Sequence, residues 1–360
     1  MTKLENVLSE LQKKYGRETV MIASKRPILV DVPRLKTGVF AIDFSTGGGL
    51  PIGKMTMAYG ARSGGKSSLF TLAVANAQKT CRKCYSYKFR CSCKKKEGLK
   101  VVWMDIERVW QNKWAKELGV NTDEIYICTP ETGEEAIDIG KAVLQSGGVD
   151  IIVVDSLAAM APSVEIEESA EKWQQGLQAR LLNKMFRSWG MVGNEQYNSG
   201  KQITYLMINQ LRMKIGVMYG NPETKPGGMA QDFSSSVEIK MTHGKYEMES
   251  DVPSYVRMRF QITKNKTYVS HISGAYRFWV RDFDGKKTGD TDSLEYLYDL
   301  ARKNGLIEEG KNKIKFSDVE TTSHKQMREK LTANDELYDL LYDSLIKVLI
   351  EGGIYECAKI

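Results

Sequence analysis

The residues with the most definite chemistry are Gly60-Ala61-Arg62-Ser63-Gly64-Gly65-Lys66-Ser67-Ser68, which follow an apolar strand-like stretch (Met55 to Tyr59) and precede a helix-like run (Ser68 to Gln78). This is the pattern of a phosphate-binding P-loop. Glycines let consecutive backbone N–H groups turn inward around phosphate oxygens, and the helix N-terminus adds positive potential. Lys66 is placed to neutralise the terminal phosphates of ATP and Ser67 to ligate Mg²⁺. Gly60, Arg62, Ser63, Gly64, Gly65, Lys66, Ser67 and Ser68 are the candidate nucleotide-binding residues of this segment.

Three further apolar runs end in groups that suit the same chemistry. Ile151-Ile-Val-Val-Asp155 is a short strand ending in a carboxylate, the Walker B arrangement, where Asp155 would share the Mg²⁺ shell with Ser67. Val101-Val-Trp-Met-Asp105-Ile-Glu107 places two acids at a strand end. Glu107 is expected to position and activate the attacking water, whereas Asp105 reads as an acid solvated at the end of a buried strand. Ile203-Thr-Tyr-Leu-Met-Ile-Asn209-Gln210 ends in amides that could sense the γ-phosphate.

Four of the six cysteines, Cys81, Cys84, Cys91 and Cys93, crowd into one segment rich in lysine and arginine. The first pair has zinc-knuckle spacing, and Cys91 and Cys93 can present both sulfurs from one face of an extended strand. Four thiolates would make a closed structural Zn²⁺ site whose charge Arg82, Lys83, Lys88, Arg90, Lys94, Lys95 and Lys96 would offset. The alternative is a flexible basic insertion carrying free thiols. Cys128 and Cys357 stand alone and read as small apolar side chains.

These groups need a scaffold, and the chain shows one. From Phe40 onward short apolar runs (Leu99 to Asp105, Ile125 to Cys128, Ile151 to Asp155, Ile203 to Asn209) alternate with helix-like segments, which predicts an α/β fold with a mostly parallel twisted sheet covered on both faces. Ligands of such sheets sit at the carboxyl ends of the strands, where the residues above fall. Leu4, Val7, Leu8 and Leu11 predict an amphipathic N-terminal helix that must bury its stripe somewhere, and Thr19 to Ala23 reads as a strand. Pro33 to Gly38 reads as a connector. Helical stripes over Leu294 to Lys303 and Leu337 to Ile350 predict a small α-rich C-terminal domain. With 360 residues, 27% charged and 42% hydrophobic, the composition is that of an ordinary globular protein. The net charge of +7 permits a polyanionic partner without requiring one. No apolar run approaches a membrane span and Met1-Thr-Lys-Leu is no signal peptide, so a cytoplasmic protein with no membrane partner is expected.

Leu118-Gly-Val, Thr132-Gly-Glu-Glu-Ala136, Ser146-Gly-Gly-Val-Asp-Ile-Ile-Val-Val-Asp-Ser156 and above all Ile208-Asn-Gln-Leu-Arg-Met-Lys-Ile-Gly-Val-Met-Tyr-Gly-Asn-Pro-Glu-Thr224 with Gly227-Gly228 resemble bacterial RecA recombinases. The resemblance runs in order from the N-terminal helix to about residue 285. It implies an N-terminal oligomerisation arm (1–38), a RecA-like ATPase core (39–285) and the C-terminal domain (286–360). It further implies a DNA-dependent ATPase that forms a homo-oligomeric helical filament on single-stranded DNA and exchanges strands with a homologous double-stranded DNA. A hexameric RecA-fold DNA helicase or motor is the alternative.

The resemblance also assigns residues. DNA-binding loops would span 165–176 and 211–229, with Arg212, Lys214, Ile215, Gly227 and Gly228 in the second. Arg180, Asn183 and Arg187 would serve on the helix after the first, where Trp173 adds a ring that could stack on a base and Gln175 departs from the family's methionine. Lys264 and Lys266 would reach the ATP of a neighbouring subunit, Phe233 would be interfacial, and Gln210 would relay the γ-phosphate to the DNA loops. Trp114 would stack on adenine, and Gln111 replaces an aspartate that reads its amine. The cysteine insertion has no counterpart in the family. The chain ends at Ile360 without the family's long acidic tail, from which readier access of duplex DNA is expected.

Overall fold

Two of the apolar runs, Val101–Asp105 and Ile151–Asp155, are buried along their whole length, as strands covered on both faces must be. The computed structural model describes residues 2–16, 20, 22, 32–167, 176–213, 222–249 and 251–351. Its helices are α1 (Lys3–Tyr15), α2 (Phe40–Thr46), α3 (Lys66–Lys79), α4 (Asn112–Glu117), α5 (Gly133–Gln145), α6 (Ser163–Glu167), α7 (Leu177–Asn198), α8 (Ala230–Ser234), α9 (Ser293–Lys303), α10 (His324–Ala333) and α11 (Asp335–Glu351). A short β1 (Arg34–Leu35), inside the expected connector, pairs with β2 (Leu50–Pro51) beyond it.

The central sheet comprises β3 (Met55–Gly60), β4 (Val101–Asp105), β5 (Ile125–Cys128), β6 (Ile151–Asp155), β7 (Thr204–Gln210), β10 (Val237–Thr242), β11 (Tyr246–Glu249), β12 (Val252–Asn265) and β13 (Ser273–Trp279). Between β7 and β10, β8 (Arg212–Met213) and β9 (Glu223–Thr224) pair with each other as a separate ribbon. Strand order is β11-β12-β10-β3-β7-β6-β4-β5, with β13 also on β12. The six strands from β10 to β5 are parallel, and β11, β12 and β13 close one side as an antiparallel edge. The mostly parallel α/β architecture expected from the alternating runs is therefore present.

Successive side chains of a strand face opposite layers, and the two cores divide accordingly. Val101 and Trp103 of β4 pack with Leu69, Phe70 and Val74 of α3 on one face, while Val102 and Met104 pack with Ile137 of α5 and Leu182, Met185 and Trp189 of α7 on the other. A third core joins Phe40 and Phe44 of α2 to Leu297, Leu341 and Leu345 of the C-terminal helices. That region also holds an antiparallel meander of β14 (Glu308–Gly310), β15 (Lys313–Phe316) and β16 (Val319–Thr321), which the helical stripes did not announce because these strands are short and mostly polar. No helix among the described residues is long and apolar enough to cross a membrane. The strand expected over Thr19 to Ala23 lies outside the described residues apart from Val20 and Ile22.

The contact between α5 and α7 is tight at one point. A Cβ on Gly140 would meet the indole of Trp189, whose Nε1 donates to the Ile137 carbonyl at 3.0 Å. Gly190, on the exposed face of α7, has open space instead. Gly140→Ala should cost about 1–3 kcal/mol by overpacking, whereas Gly190→Ala should stabilise by about 0.5–1 kcal/mol through helix propensity. Thermal melts of the two variants, shifted in opposite directions, check this.

Candidate nucleotide site and nucleic-acid face

The P-loop runs from the end of β3 into α3 and folds as the glycines predict. Gly65 sits at φ +77°, a left-handed conformation that L side chains rarely adopt, and a Cβ there would also press on Met258. The turn aims the first N–H groups of α3 into a cavity of about 310 Å³ lined by Ser63 to Ser68 and Trp114. Lys66 curls over the loop, its Nζ donating to the carbonyls of Ala61 at 2.7 Å and Gly60 at 3.3 Å. Burial pulls its pKa down, while the nearby Asp155 and Glu107 carboxylates oppose that shift. Arg62 is exposed beside the loop rather than lining the cavity.

Ser67 Oγ donates to Asp155 Oδ2 at 2.7 Å, which joins α3 to the end of β6. A hydroxyl and a carboxylate in contact are the hard oxygen donors that Mg²⁺ prefers, so this pair fits the ion. Burial pushes Asp155 up to about 6, with Glu107 and Asp105 adding repulsion against the Ser67 hydrogen bond. Glu107 Oε1 accepts from Ser156 Oγ and, at 2.8 Å, from Gln210 Nε2. One carboxylate thereby links the ends of β4, β6 and β7.

Asp105 differs from expectation: it is buried rather than solvated. Its two oxygens accept from the N–H groups of Val109 at 3.0 Å and Trp110 at 2.8 Å, so it anchors the turn that carries Glu107. Trp114 is half-buried, its ring 6.1 Å from that of Phe278, and the exposed Gln111 borders a smaller cleft between Trp110, Trp114 and Asp155. The far wall of the main cavity comes from His243, Tyr246, Val256, Met258, Phe278 and Val280. Sequence reading named none of these because they lie on the antiparallel edge, far along the chain from the P-loop. His243 Nε2 is buried there with no hydrogen-bond partner among the described residues.

The two expected DNA segments meet. Arg180, Asn183 and Arg187 are exposed on α7, on the side opposite its buried stripe, together with Lys184, which sequence reading missed although its i+4 spacing from Arg180 could have found it. Gly227, at φ +94°, packs so closely that a Cβ would strike Leu182 of α7, and a Cβ on Gly228 would lie 2.9 Å from that of Ala179. These glycines thus serve close packing against the basic helix. The ribbon of β8 and β9 forms the base of the second loop, with Arg212 exposed. Asn209 Nδ2 donates to the Pro226 carbonyl at 3.1 Å and to Gln231 Oε1 at 2.6 Å, which ties the loop's return to the end of β7. Lys214 and Ile215, like Trp173 and Gln175, lie outside the described residues.

Lys264 and Lys266 do not approach the P-loop of their own chain. Lys264 Nζ donates to the Asp232 carbonyl and Lys266 Nζ to that of Phe233 at 3.0 Å, at the end of α8. Glu238 of β10 is opposite both Lys264 and Met57, and Met57 lies about 10 Å before Gly60 along β3 at roughly 3.3 Å per residue. Phe233 beside them is 72% exposed. In α1, Leu4 and Val7 are exposed and no residue is buried.

The sulfurs of Cys81, Cys84, Cys91 and Cys93 all lie within 4.8 Å of one another. Burial opposes ionisation of Cys81, but the N–H groups of Cys84 and Lys83 and the thiols of Cys91 and Cys84 directed at its sulfur together outweigh it and bring the thiol down to about 7. Cys128 is half-buried, and burial raises its thiol.

A glycine-rich phosphate cradle, with the hydroxyl of Ser67 on the Asp155 carboxylate and the Glu107 carboxylate on Gln210 at the carboxyl ends of parallel strands, puts this molecule in the class of P-loop nucleotide-binding α/β proteins. Sequence comparison narrows the class. Residues 2–273 match the RecA N-terminal domain family. The RecA proteins of Francisella tularensis subsp. novicida (strain U112) and subsp. tularensis (strain WY96-3418) are each 33% identical over 351 residues, covering 95% of this chain and 89% of theirs. The chain belongs to the RecA family of recombinases.

The raised Asp155 has a measurable consequence. Because its folded value, about 6, exceeds the ordinary 3.8, the native state holds this proton more tightly than the unfolded chain. Its charge therefore costs stability as pH rises through that window, and a bound cation offsets the cost. Binding of Mg²⁺ with a nucleotide analogue near pH 6 should release a proton and near pH 8 should not. Calorimetry in two buffers of different ionisation enthalpy should give differing heats only at the lower pH, and Asp155→Asn should remove the difference.

Proposed function

We propose that this protein is a DNA-dependent ATPase that assembles a helical filament on single-stranded DNA, pairs it with a homologous duplex and exchanges strands. The observation that carries the reading is the 2.8 Å hydrogen bond from Gln210 to Glu107. Gln210 is the last residue of β7, separated only by Leu211 from the ribbon at the base of the second DNA loop, so a change at the γ-phosphate position acts directly on that loop.

Ser67 and Asp155 would hold Mg²⁺, which supplies charge neutralisation at the β- and γ-phosphates when bound. Lys66, released from the loop carbonyls, turns its amine to the same oxygens. Glu107 accepts a proton from the attacking water, and Gln210 exchanges its Glu107 contact for the γ-phosphate. Trp114 provides a face for the adenine. Arg180, Asn183, Arg187 and Arg212 bind phosphates or base edges of the DNA. A neighbouring subunit would bury the Leu4 and Val7 stripe and Phe233, which are exposed among the described residues, and a neighbour is also what Lys264 and Lys266 need to reach an ATP. There they would stabilise charge on the transferred phosphoryl group, as arginine fingers do.

Steady-state ATP hydrolysis with and without single-stranded DNA tests the reading. Strong stimulation followed by strand exchange supports it, while DNA-independent turnover, or closed rings in electron micrographs, would favour a RecA-fold motor. Lys66→Ala should abolish nucleotide-dependent filaments. Glu107→Ala should lower turnover by about 10²–10⁴-fold while ATP stays bound and filaments persist; turnover at the parental rate would refute the role given to Glu107. The lysine pair is tested by mixing a Lys264→Ala/Lys266→Ala variant with Lys66→Ala. Random assortment leaves roughly a quarter of the interfaces intact, so the mixture should regain hydrolysis that neither variant has alone. A mixture as inactive as its components, with both variants found in the same filaments by pull-down of a tagged partner, would defeat action across the interface.

A further inference from the structure

We infer that Cys81, Cys84, Cys91 and Cys93 bind one Zn²⁺, and that this ion holds residues 87–90 as a bracket between the P-loop helix α3 and the C-terminal helix α11. Four thiolates on Zn–S bonds of about 2.3 Å form a tetrahedron with edges of about 3.8 Å. Sulfurs all within 4.8 Å of one another are close to that arrangement. Cys84 Sγ lies 3.4 Å from Cys91 Sγ, far longer than a disulfide bond of about 2.05 Å. Backbone N–H groups support the sulfurs, Cys93 N donating to Cys91 Sγ at 3.3 Å. The donor set is closed, with no position for a substrate, so the ion is structural.

What the site holds follows from the contacts of its loop. Cys81 begins the insertion two residues after the end of α3, and the return is fastened by the Leu99 N–H to the Ala77 and Thr80 carbonyls. Between the two cysteine pairs, Tyr87 Oη donates to Asn76 Oδ1 of α3 at 2.9 Å. Arg90 reaches the other way, pairing with Asp343 of α11 at 2.5 Å and donating to the Glu336 carbonyl at 3.1 Å. Lys36 completes the junction: its Nζ lies 3.2 Å from Asp339 and 3.0 Å from Asp343, between the rings of Tyr87 and Tyr342. Cavities of about 300 and 470 Å³ flank this contact, so the join depends on where the loop is held rather than on dense packing. Arg82 is likewise spent inside the molecule, 3.0 Å from Asp150 at the start of β6. Lys83, Lys94, Lys95 and Lys96 stay exposed and offset the double negative charge of a zinc tetrathiolate.

The test uses the full chain purified under reducing conditions without chelator. Plasma mass spectrometry should find about one zinc per chain. Removing it with a mercurial and a chelator should speed hydrogen exchange roughly tenfold in residues 81–98 and in the first half of α11, with β3, β6 and β7 unchanged. Arg90→Ala should keep the zinc and loosen α11 alone, which separates the bracket from the folding of the site; Cys84→Ser/Cys93→Ser should lose both. Protein free of zinc, with the thiols of Cys81, Cys84, Cys91 and Cys93 all titratable or joined in disulfides, would overturn the site. Exchange in α11 that ignores both zinc removal and Arg90→Ala would overturn the bracket.

Discussion

The contact of Ser67 Oγ with Asp155 Oδ2 is the join about which the site is arranged. It spans two non-neighbouring strands: α3 leaves β3 and crosses over β7 to meet the end of β6. With that distance set, β7 between them delivers Gln210, and β4 on the far side of β6 delivers Glu107. All four strands run parallel, so their carboxyl ends lie together, and polar groups that are widely separated in sequence share one cleft. Asp105 serves this indirectly by holding the turn after β4.

The cleft carries unbalanced charge. Asp155, Glu107 and Asp105 lie close enough that burial and mutual repulsion hold the Asp155 proton well above the ordinary carboxylate range. Lys66 loses part of its own affinity for a proton to burial and rests on carbonyl oxygens. Each group is poorly solvated, and a metal ion with a polyphosphate answers both at once. The affinity of such a site comes in part from relieving charges that the fold has already desolvated.

The outer surfaces show a similar incompleteness at a larger scale. An amphipathic helix with no buried residue, an exposed Phe233, and two lysines about three strand residues on the wrong side of their own P-loop are poorly explained by a solitary chain. In the proposed filament a head-to-tail neighbour would account for all three. The cysteine insertion works inward instead, committing Arg82 and Arg90 to partners within the chain. It braces the C-terminal helices against the helix that starts at the P-loop.

The phosphate loop, the strands ending at Asp155 and Gln210, and the parallel sheet were legible in the sequence. Their signals are local: glycine spacing, apolar runs of strand length and a polar residue at each end. The same holds for the four cysteines, whose types and crowding predict their convergence. The burial of Asp105, the edge-strand wall with His243 and Phe278, the seating of Gly227 on Leu182 and the clasp of Asn209 with Gln231 were not legible. Each depends on which distant segment arrives beside it, and neither periodicity nor motif carries that information. Residue type and spacing determined which chemistry the chain can perform; tertiary structure decided which groups share a low-dielectric cleft, and so which of them do it.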